Sequence, residues 1–286
     1  MELTSPAEIK RIAAKYGFTF KKGLGQNFLT SQSILEEIAE AAEPDEGVLE
    51  IGPGFGVLTN ELAKRAEKVV ALEIDDRLIP VLADTLSEHK NVKIINKDVM
   101  KADLRALIND EFGGKRISIA ANLPYYITTP IITTLIESEL SLKNLVVMVQ
   151  KEVAERIQAK PSTKAYGALT ILCQFYTDPE IIKIVPAGLF MPPPNVDSAV
   201  LRMRFLDEPR VKVKDRELFF KTVKAAFSQR RKTLLNCLAS GFGIGKDVLS
   251  EIMSDAGIES GRRGETLDMD EFAALADAIY EYKQSR

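Results

Sequence analysis

The sequence predicts an α/β fold, a doubly wound sheet with a smaller all-helical domain after it. Strand-like and helix-like segments alternate from about Ile34 to Ile182, which is typical of successive βαβ units. Beyond about residue 206 the chain has helical patterning only. A glycine-rich turn after the first strong strand is also typical of sheets that bind nucleotides. We therefore expect one domain over residues 1–206 and a second over residues 207–286.

Short apolar runs bounded by turn residues predict the strands, and longer amphipathic stretches predict the helices. The predicted strands are Val48–Ile51, Lys68–Leu72, Val92–Asn96, Ile117–Ala121, Leu145–Gln150, Ile181–Val185 and Ser198–Arg204. The predicted helices of the first domain are Ile34–Ala42, which ends before Pro44, then Thr59–Ala66, Arg77–Ser87 and Lys151–Ala159. The second domain is expected to be helical from Arg216 to Tyr282, with breaks around Gly241, Gly243, Gly245 and Gly261.

Composition favours a globular protein of the cytoplasm. Of 286 residues, 45% are hydrophobic, and no run approaches the ~18 apolar residues of a membrane span. The stretch before Lys22 lacks the apolar core of a signal peptide, so we expect no membrane partner. Cys173 and Cys237 lack metal-ligand spacing, and His89 is the single histidine, which makes a metal site or histidine-based catalysis improbable. Without a long heptad pattern, a monomer is expected.

Three successive predicted strands end in groups that suit a nucleotide-like ligand. The first runs into the loop Gly52–Gly56, whose glycines let the backbone approach a ligand closely. The second ends in Glu73, which lies 21 residues after Gly52 and suits the hydroxyls of a ribose. The third delivers Asp98. In an open α/β sheet these strand ends share one edge, where ligands bind.

The glycine loop also argues against the nearest rival interpretation, a dehydrogenase. A dinucleotide fingerprint needs glycine or alanine three places after its second glycine, but Val57 stands there, three places after Gly54. A pyrophosphate would therefore fit this loop poorly.

The next predicted strand ends in the tetrapeptide Asn122-Leu123-Pro124-Tyr125. An exocyclic amine on an aromatic base is a poor nucleophile because its lone pair is delocalised into the ring. The Asn122 amide oxygen and a carbonyl of the following turn can accept its hydrogens and favour the pyramidal form, while Tyr125 can stack on the base. The pattern thus indicates chemistry on an amino-bearing base. Taken alone, it is also compatible with an ordinary strand end and a proline turn.

Charge is distributed unevenly along the chain. The formal net charge is −3, but the segment from Arg202 to Lys232 contains eleven basic and four acidic residues, a local net of +7. Phosphate contacts supply nucleic-acid affinity, so this segment favours RNA binding. The alternative is a charged face that only keeps a helix solvated.

At these residues the chain resembles the ribosomal RNA adenine dimethyltransferase family, specifically the bacterial small-subunit branch. The resemblance covers nearly the whole chain and depends on the segments Gly23–Leu29, Glu50–Gly54, Asn122–Tyr125, Phe190–Ser198 and Phe227–Lys232. It implies a Rossmann-like S-adenosyl-L-methionine-dependent methyltransferase sheet closed by antiparallel strands. It further implies dimethylation at N6 of two adjacent adenosines in the 3′-terminal hairpin of small-subunit ribosomal RNA, with the small ribosomal subunit as partner.

The resemblance also assigns roles to individual residues. Asn122, Leu123, Pro124 and Tyr125 are expected to be catalytic, and the cofactor-binding residues are expected to be Asn27, Leu29, Gly52, Gly54, Glu73, Asp98 and Asn122. The expected RNA-binding residues are Phe190, Lys221, Lys224, Arg230, Arg231 and Lys232. Structural alternatives stay open for three positions: Asp98 as a helix cap, and Leu29 and Phe190 as core residues.

Three other functions stay open. A related enzyme of the macrolide-resistance type would act on large-subunit RNA, although Gly52–Gly54 and Ser228–Lys232 match the small-subunit branch better. A non-catalytic nucleic-acid-binding factor on the same scaffold would not need the intact Asn122 turn. An enzyme that methylates DNA amines more often carries a second proline where Leu123 stands.

Overall fold

The computed structural model describes residues 3–18 and 27–285. The chain divides into two compact units, one formed by Met1–Ala154 with Pro179–Phe205 and one formed by Glu155–Asp178 with Leu206–Arg286. The expected boundary after residue 206 lies next to the division at Phe205, but residues 155–178 fall in the second unit. Of the segments that carry the family resemblance, Gly23–Gln26 lies outside the described residues.

The first unit contains a seven-stranded sheet and a two-stranded sheet. The strands are β1 (Phe28–Leu29), β2 (Val48–Ile51), β3 (Val69–Glu73), β4 (Val92–Asn96), β5 (Ile117–Asn122), β6 (Leu142–Gln150), β7 (Thr177–Val185), β8 (Phe190–Met191) and β9 (Ser198–Phe205). The larger sheet has the order β4-β3-β2-β5-β6-β9-β7, and the smaller one pairs β1 with β8.

The order of the strands creates a crevice between β2 and β5. Strands β4, β3, β2, β5 and β6 are parallel, and β9 runs antiparallel to β6, as expected for the last strand. The chain moves outward from β2 to β4 and then returns to place β5 on the other side of β2. Ligands of open α/β sheets bind at such a reversal point, outside the carboxyl ends of the strands.

Helices cover the sheet of the first unit. They are α1 (Pro6–Lys15), α2 (Gln32–Ala42), α3 (Val57–Ala63), α4 (Ile79–Thr85), α5 (Leu104–Phe112), α6 (Thr128–Glu137) and the start of α7 (Lys151–Ile157). Every residue of β2 and β3 is buried, as expected for parallel strands covered on both faces. Helices α5 and α6 were not predicted from the sequence, and neither was α1. This helix is fixed by Lys15 Nζ and Tyr16 Oη, which donate to Asp84 Oδ2 at 2.6 and 2.9 Å.

The second unit is helical in its described part. Its helices are α8 (Ala168–Tyr176), α9 (Arg216–Ala226), α10 (Leu234–Phe242), α11 (Lys246–Asp255) and α12 (Met269–Gln284). Helix α8 belongs here because Phe175 packs on Phe219 with 5.0 Å between the ring centroids. The side chain of Asp215 caps α9 by accepting a hydrogen bond from Leu218 N at 2.9 Å. No described helix is long and apolar enough to cross a membrane.

The glycines around α10 differ from the expectation at one position. Gly243 ends α10 with φ of 66°, and Gly245 is the residue before α11, so these breaks are confirmed. Gly241 lies inside α10, so the predicted break there is wrong. A Cβ at residue 241 would lie 2.6 Å from Ala225 Cβ, so this glycine lets α10 approach α9 closely.

Candidate active site

The ends of β2, β3 and β5 meet at one edge of the sheet. Ile51 pairs with Leu72 on one side and with Ala121 on the other, which brings the following residues Gly52, Glu73 and Asn122 together. A pocket opens at this edge. Its lining includes every catalytic and cofactor-binding residue predicted from the sequence except Asp98: Asn27, Leu29, Gly52, Gly54, Glu73, Asn122, Leu123, Pro124 and Tyr125.

Asp98 has a local structural role. Its Oδ1 accepts a hydrogen bond from Met100 N at 2.9 Å and so caps the 3-10 turn Val99–Lys101. This is the capping alternative left open by the sequence. A contact between Asp98 and the cofactor stays a prediction.

Glu73 holds the glycine loop in place. Its carboxylate accepts hydrogen bonds from Gly54 N at 3.2 Å and from Asp75 N at 2.8 Å. Burial raises the pKa of Glu73, and the two backbone N–H groups act in the opposite direction. Gly52 has φ of 71°, and a Cβ at this position would meet no atom within 4 Å, so the loop leaves open space beside it.

Gly54 allows the N-terminal segment to lie against the loop. Its φ is 59°, and a Cβ at this position would lie 2.7 Å from the Phe28 ring. Gly54→Ala is therefore expected to lower the free energy of unfolding by about 2 kcal/mol, because a left-handed residue with a side chain costs roughly 1–2 kcal/mol before the clash is counted. Urea unfolding of the full chain measures this change.

Gly188 provides the matched control in the first unit. It has no positive φ, and a Cβ there would meet no atom within 4 Å. Gly188→Ala is expected to change the free energy of unfolding by less than about 1 kcal/mol. Equal stabilities of the two variants would contradict the assignment of Gly54 as a close-approach glycine.

Glu50 begins a segment that carries the family resemblance, but no role of its own was predicted for it from the sequence. It lies within β2, is 1% exposed and lines the pocket, and in the described part of the chain its Oε2 has no hydrogen-bond partner. The pKa of Glu50 is raised to about 8, mainly by burial, with a smaller contribution in the same direction from the Glu73 carboxylate and an opposing one from the neighbouring Thr59 hydroxyl. The available signal was a carboxylate inside an otherwise apolar strand, two residues before Gly52.

The carboxylates and the loop fit a ligand with an ammonium group and ribose-like hydroxyls. A buried carboxyl oxygen without a hydrogen-bond partner among the described residues is costly, and a cationic group would satisfy Glu50 Oε2. Glu73 still has acceptor capacity beside the N–H groups of Gly54, Ile74 and Asp75, since a carboxylate offers about four lone-pair sites. The site therefore suits a cofactor that is cationic at one end and carries a sugar.

The Asn122 side chain is oriented by a backbone contact. Its Nδ2 donates to Asn27 O at 3.0 Å, which leaves Oδ1 as the amide atom that can accept from a ligand. The Pro124 carbonyl accepts from Ile127 N at 3.2 Å and from Thr128 Oγ1 at 3.0 Å. Within the described part of the chain, the Leu123 carbonyl is therefore the oxygen of this turn that can accept from an amine.

Three aromatic residues near the turn differ in exposure. Tyr125 is fixed by a hydrogen bond of 2.6 Å between its hydroxyl and Ser198 Oγ, and burial raises its pKa while Ser198 opposes this. Phe190 is 4% exposed and pairs with Leu29 in the small sheet, which agrees with the packing alternative for both residues. Stacking of Phe190 on a base stays a prediction. Tyr126, which the sequence analysis missed as a second aromatic in the turn, is 62% exposed and lines the pocket.

The basic residues expected to bind RNA lie in the second unit and are exposed: Lys221, Lys224, Arg230, Arg231 and Lys232. The segment from Arg202 to Lys232 has less unpaired positive charge in the structure than its sequence predicts. Arg202 and Arg204 pair with Glu43, and Arg210 pairs with Asp178 at 3.2 Å. The acidic partners come from outside the basic segment, so the sequence count could not include them.

Comparison with known proteins agrees with this arrangement. Residues 17–275 match the ribosomal RNA adenine dimethylase family. The ribosomal RNA small subunit methyltransferase A of Geobacillus thermodenitrificans is 53% identical over 285 residues, with 97% of each chain covered. The protein of the same name from Bacillus licheniformis is 51% identical over 286 residues, with 98% of each chain covered.

Two solved structures are similar over most of the chain. A dimethyladenosine transferase from Plasmodium falciparum is 25% identical with a TM-score of 0.73, covering 90% of this chain and 98% of that one. The 23S rRNA methyltransferase ErmE is 28% identical with a TM-score of 0.68, covering 89% of this chain and 100% of that one. The resemblance seen in the sequence is confirmed, and the chain belongs to the ribosomal RNA adenine dimethylase family.

Proposed function

We propose that this chain transfers methyl groups from S-adenosyl-L-methionine to N6 of two adjacent adenosines in the 3′-terminal hairpin of small-subunit ribosomal RNA. The observation that carries this proposal is the meeting of the Asn122 turn, the glycine loop and two buried carboxylates in one pocket. The identity of about 50% to small-subunit methyltransferases over nearly the whole chain supports the choice of RNA. N6,N6-dimethyladenosine would be the product.

The pocket offers a complementary group for each part of the cofactor. Glu50 would hold the ammonium group of the amino-acid part, and Glu73 would hold the ribose hydroxyls. Gly52 and Gly54 would let the backbone of the loop approach the cofactor closely. Asn27 and Leu29, from the N-terminal segment, would line the cofactor's other side. When bound, S-adenosyl-L-methionine supplies a methyl group on a positive sulfur, which makes that carbon electrophilic.

The chain's own part in the reaction is to orient and stabilise the amine. The Asn122 Oδ1 and the Leu123 carbonyl would accept the amino hydrogens and so orient the nitrogen lone pair towards the electrophilic carbon. Positive charge would develop on this nitrogen, and the acceptors would stabilise it until the nitrogen releases a proton to solvent. No nucleophilic side chain is required, because orientation alone can contribute ~7–11 kcal/mol.

The target base must leave its helix to reach this pocket. A base stacked in a duplex cannot present its amine to Asn122, so the adenosine must be single-stranded or flipped out. The Tyr125 ring, held by Ser198, provides a surface for stacking. The basic residues of the second unit would supply phosphate contacts for the same RNA.

The partner we propose is the pre-assembled small subunit, bound by a cytoplasmic monomer. A net charge of −3 limits non-specific adhesion to free RNA, so a folded particle should be preferred over a short hairpin. Methylation of a bare hairpin at the rate seen with assembled subunits would argue against this preference.

Methyl transfer to isolated ribosomal subunits tests the function. Small subunits that lack these methyl groups are incubated with tritium-labelled S-adenosyl-L-methionine, with large subunits in parallel, and the labelled nucleoside is identified. We expect N6,N6-dimethyladenosine in the small subunits only. A chain with Asn122→Ala provides the control for contaminating activities.

The structural similarity to ErmE keeps one alternative in view. Label in large-subunit RNA would assign the chain to the branch that acts on that RNA. Measurable cofactor binding without label in either subunit would favour a non-catalytic binding factor.

A further inference from the structure

The loop between α7 and α8 is an exposed basic segment that the sequence analysis did not select. Residues 160–165 are all exposed, and the loop carries Lys160 and Lys164. Neither lysine takes part in an ion pair among the described residues, unlike Arg210 and Lys214 of the same unit, which pair with acidic side chains. Both ammonium groups are therefore available to an anionic partner.

This loop is held in one conformation by contacts within the second unit. Ser162 has φ of 67° and its N–H donates to Glu265 O at 2.7 Å. A non-glycine residue keeps such a φ only where its surroundings impose it. The Thr163 hydroxyl donates to Lys160 O at 2.7 Å, and after the loop the Tyr166 ring packs edge-on against Phe227 at 5.9 Å. The two lysines thus extend from an ordered backbone.

A direct contact joins this loop to the basic turn before α10. Arg230 Nη2 donates to the Lys164 carbonyl at 2.8 Å. The turn itself is closed by a hydrogen bond of 3.1 Å from Lys232 N to Gln229 O. Two segments that lie 66 residues apart in the sequence are therefore neighbours.

Neither of the two segments contributes a negative side chain, and the carboxylate of Glu265, the residue whose carbonyl contacts Ser162, pairs with Arg263 at 3.9 Å. Residues 160–165 and 228–233 contain five cationic side chains and no carboxylate. A cluster of unpaired cations on an ordered backbone is complementary to the phosphates of a nucleic acid. Arg230 differs from the other cations, because part of its guanidinium is already used by the Lys164 carbonyl.

We propose that Lys160 and Lys164 act with Arg231 and Lys232 as one binding surface for the phosphodiester backbone of RNA. Arg230 is a positioning residue that holds the Lys164 loop beside the turn. The proposal rests on the proposed function in one respect: the RNA is taken to be the small-subunit ribosomal RNA that the enzyme methylates.

Salt-dependent binding tests the role of Lys164. The full-length Lys164→Gln variant is titrated with protein-free small-subunit ribosomal RNA at several KCl concentrations, without cofactor. We expect affinity at low salt to fall about 5- to 10-fold, and the slope of log K against log salt to decrease by about one phosphate contact, ~0.7–0.9. The Arg230–Lys164 backbone contact is retained in this variant, so thermal unfolding should be unchanged.

Lys246→Gln is the matched control. Lys246 is exposed in the same unit, but it follows the opposite end of α10 from the basic turn. We expect its binding and salt slope to equal those of the unmodified chain. If Lys164→Gln and Lys246→Gln lowered RNA affinity equally, the loss would be a general effect of charge, and the proposal would be overturned.

A double-mutant cycle tests the positioning role of Arg230. Arg230→Gln alone should weaken RNA binding and make residues 160–165 easier to cleave by protease. In a chain that already has Lys164→Gln, the same change should cost clearly less affinity, because it acts partly through Lys164. If the two substitutions lowered RNA affinity by strictly additive amounts, or if Arg230→Gln left the cleavage rate of the loop unchanged, Arg230 would not position Lys164.

The outcomes separate this inference from the proposed function. If the Lys164→Gln variant binds protein-free RNA with the affinity of the unmodified chain, while the unmodified chain methylates small subunits, the proposed RNA-binding surface is wrong and the proposed function is retained. If the loss of affinity appears only with assembled subunits and not with protein-free RNA, the proposed contact with the RNA phosphates in this assay fails. If the unmodified chain neither binds nor methylates small-subunit RNA, the proposed function itself fails.

Discussion

Replacing Asn122 with alanine is expected to lower kcat for methyl transfer by about 100- to 1000-fold, with little change in cofactor affinity. The amide Oδ1 stabilises the charge that develops on the attacking nitrogen, so its contribution is largest in the transition state. Rapid-quench methyl transfer with saturating small subunits measures the rate, and calorimetric titration with the cofactor measures the affinity.

Asn122→Asp separates the two functions of this side chain. The variant keeps an oxygen acceptor but loses the Nδ2 donor to the Asn27 carbonyl. We expect it to retain more transfer activity than Asn122→Ala, and both variants to lose about 1 kcal/mol of stability with that hydrogen bond. If Asn122→Ala lost cofactor affinity and rate by equal factors, its role would be in cofactor binding rather than in activation of the amine.

The strands of the sheet could be predicted because their pattern is local. The bounds of β4 agree with the prediction at both ends, since a short β-branched run lies between polar residues. The start of β6 was placed three residues too late, because Lys143 and Asn144 are polar. Asn144 is nonetheless fully buried, and its Nδ2 donates to Ala42 O at 3.3 Å. Such a tertiary contact leaves no trace in periodicity.

The residues of the site that lie at strand ends could also be predicted, because the order of the strands determines where those ends meet. Gly52, Glu73 and Asn122 lie at the carboxyl ends of β2, β3 and β5, which are neighbours in the parallel sheet, and topology alone brings such residues to one edge. The pairing of Phe28 with Met191 could not be foreseen, since two-residue strands have no detectable pattern. The basic surface next to Lys164 depends on the packing of α8 in the second unit, which hydrophobic periodicity does not specify.

Replacing Glu50 with glutamine is expected to stabilise the ligand-free chain at high pH. The pKa of this carboxyl is about 4.5 in the unfolded chain and about 8 in the folded one, so between these values the folded chain binds more protons. Its contribution to stability therefore falls as pH rises from 4.5 to 8. Glutamine removes this cost, so the variant should be on the order of 3–5 kcal/mol more stable above pH 8 and nearly equal at pH 4.5, as urea unfolding at several pH values would measure.

The same substitution is expected to weaken cofactor binding. An ammonium group placed beside Glu50 favours the carboxylate, so the cofactor affinity of the unmodified chain should rise as pH increases from about 6 to 8. Glutamine cannot ionise, and Glu50→Gln should bind about 10-fold or more weakly at pH 8 with no such rise. Calorimetry with S-adenosylhomocysteine, which has the same amino-acid part but no methyl group, provides the measurement without turnover. A higher stability of the variant combined with an unchanged pH dependence of binding would mean that Glu50 is a buried structural carboxyl and that another group holds the ammonium.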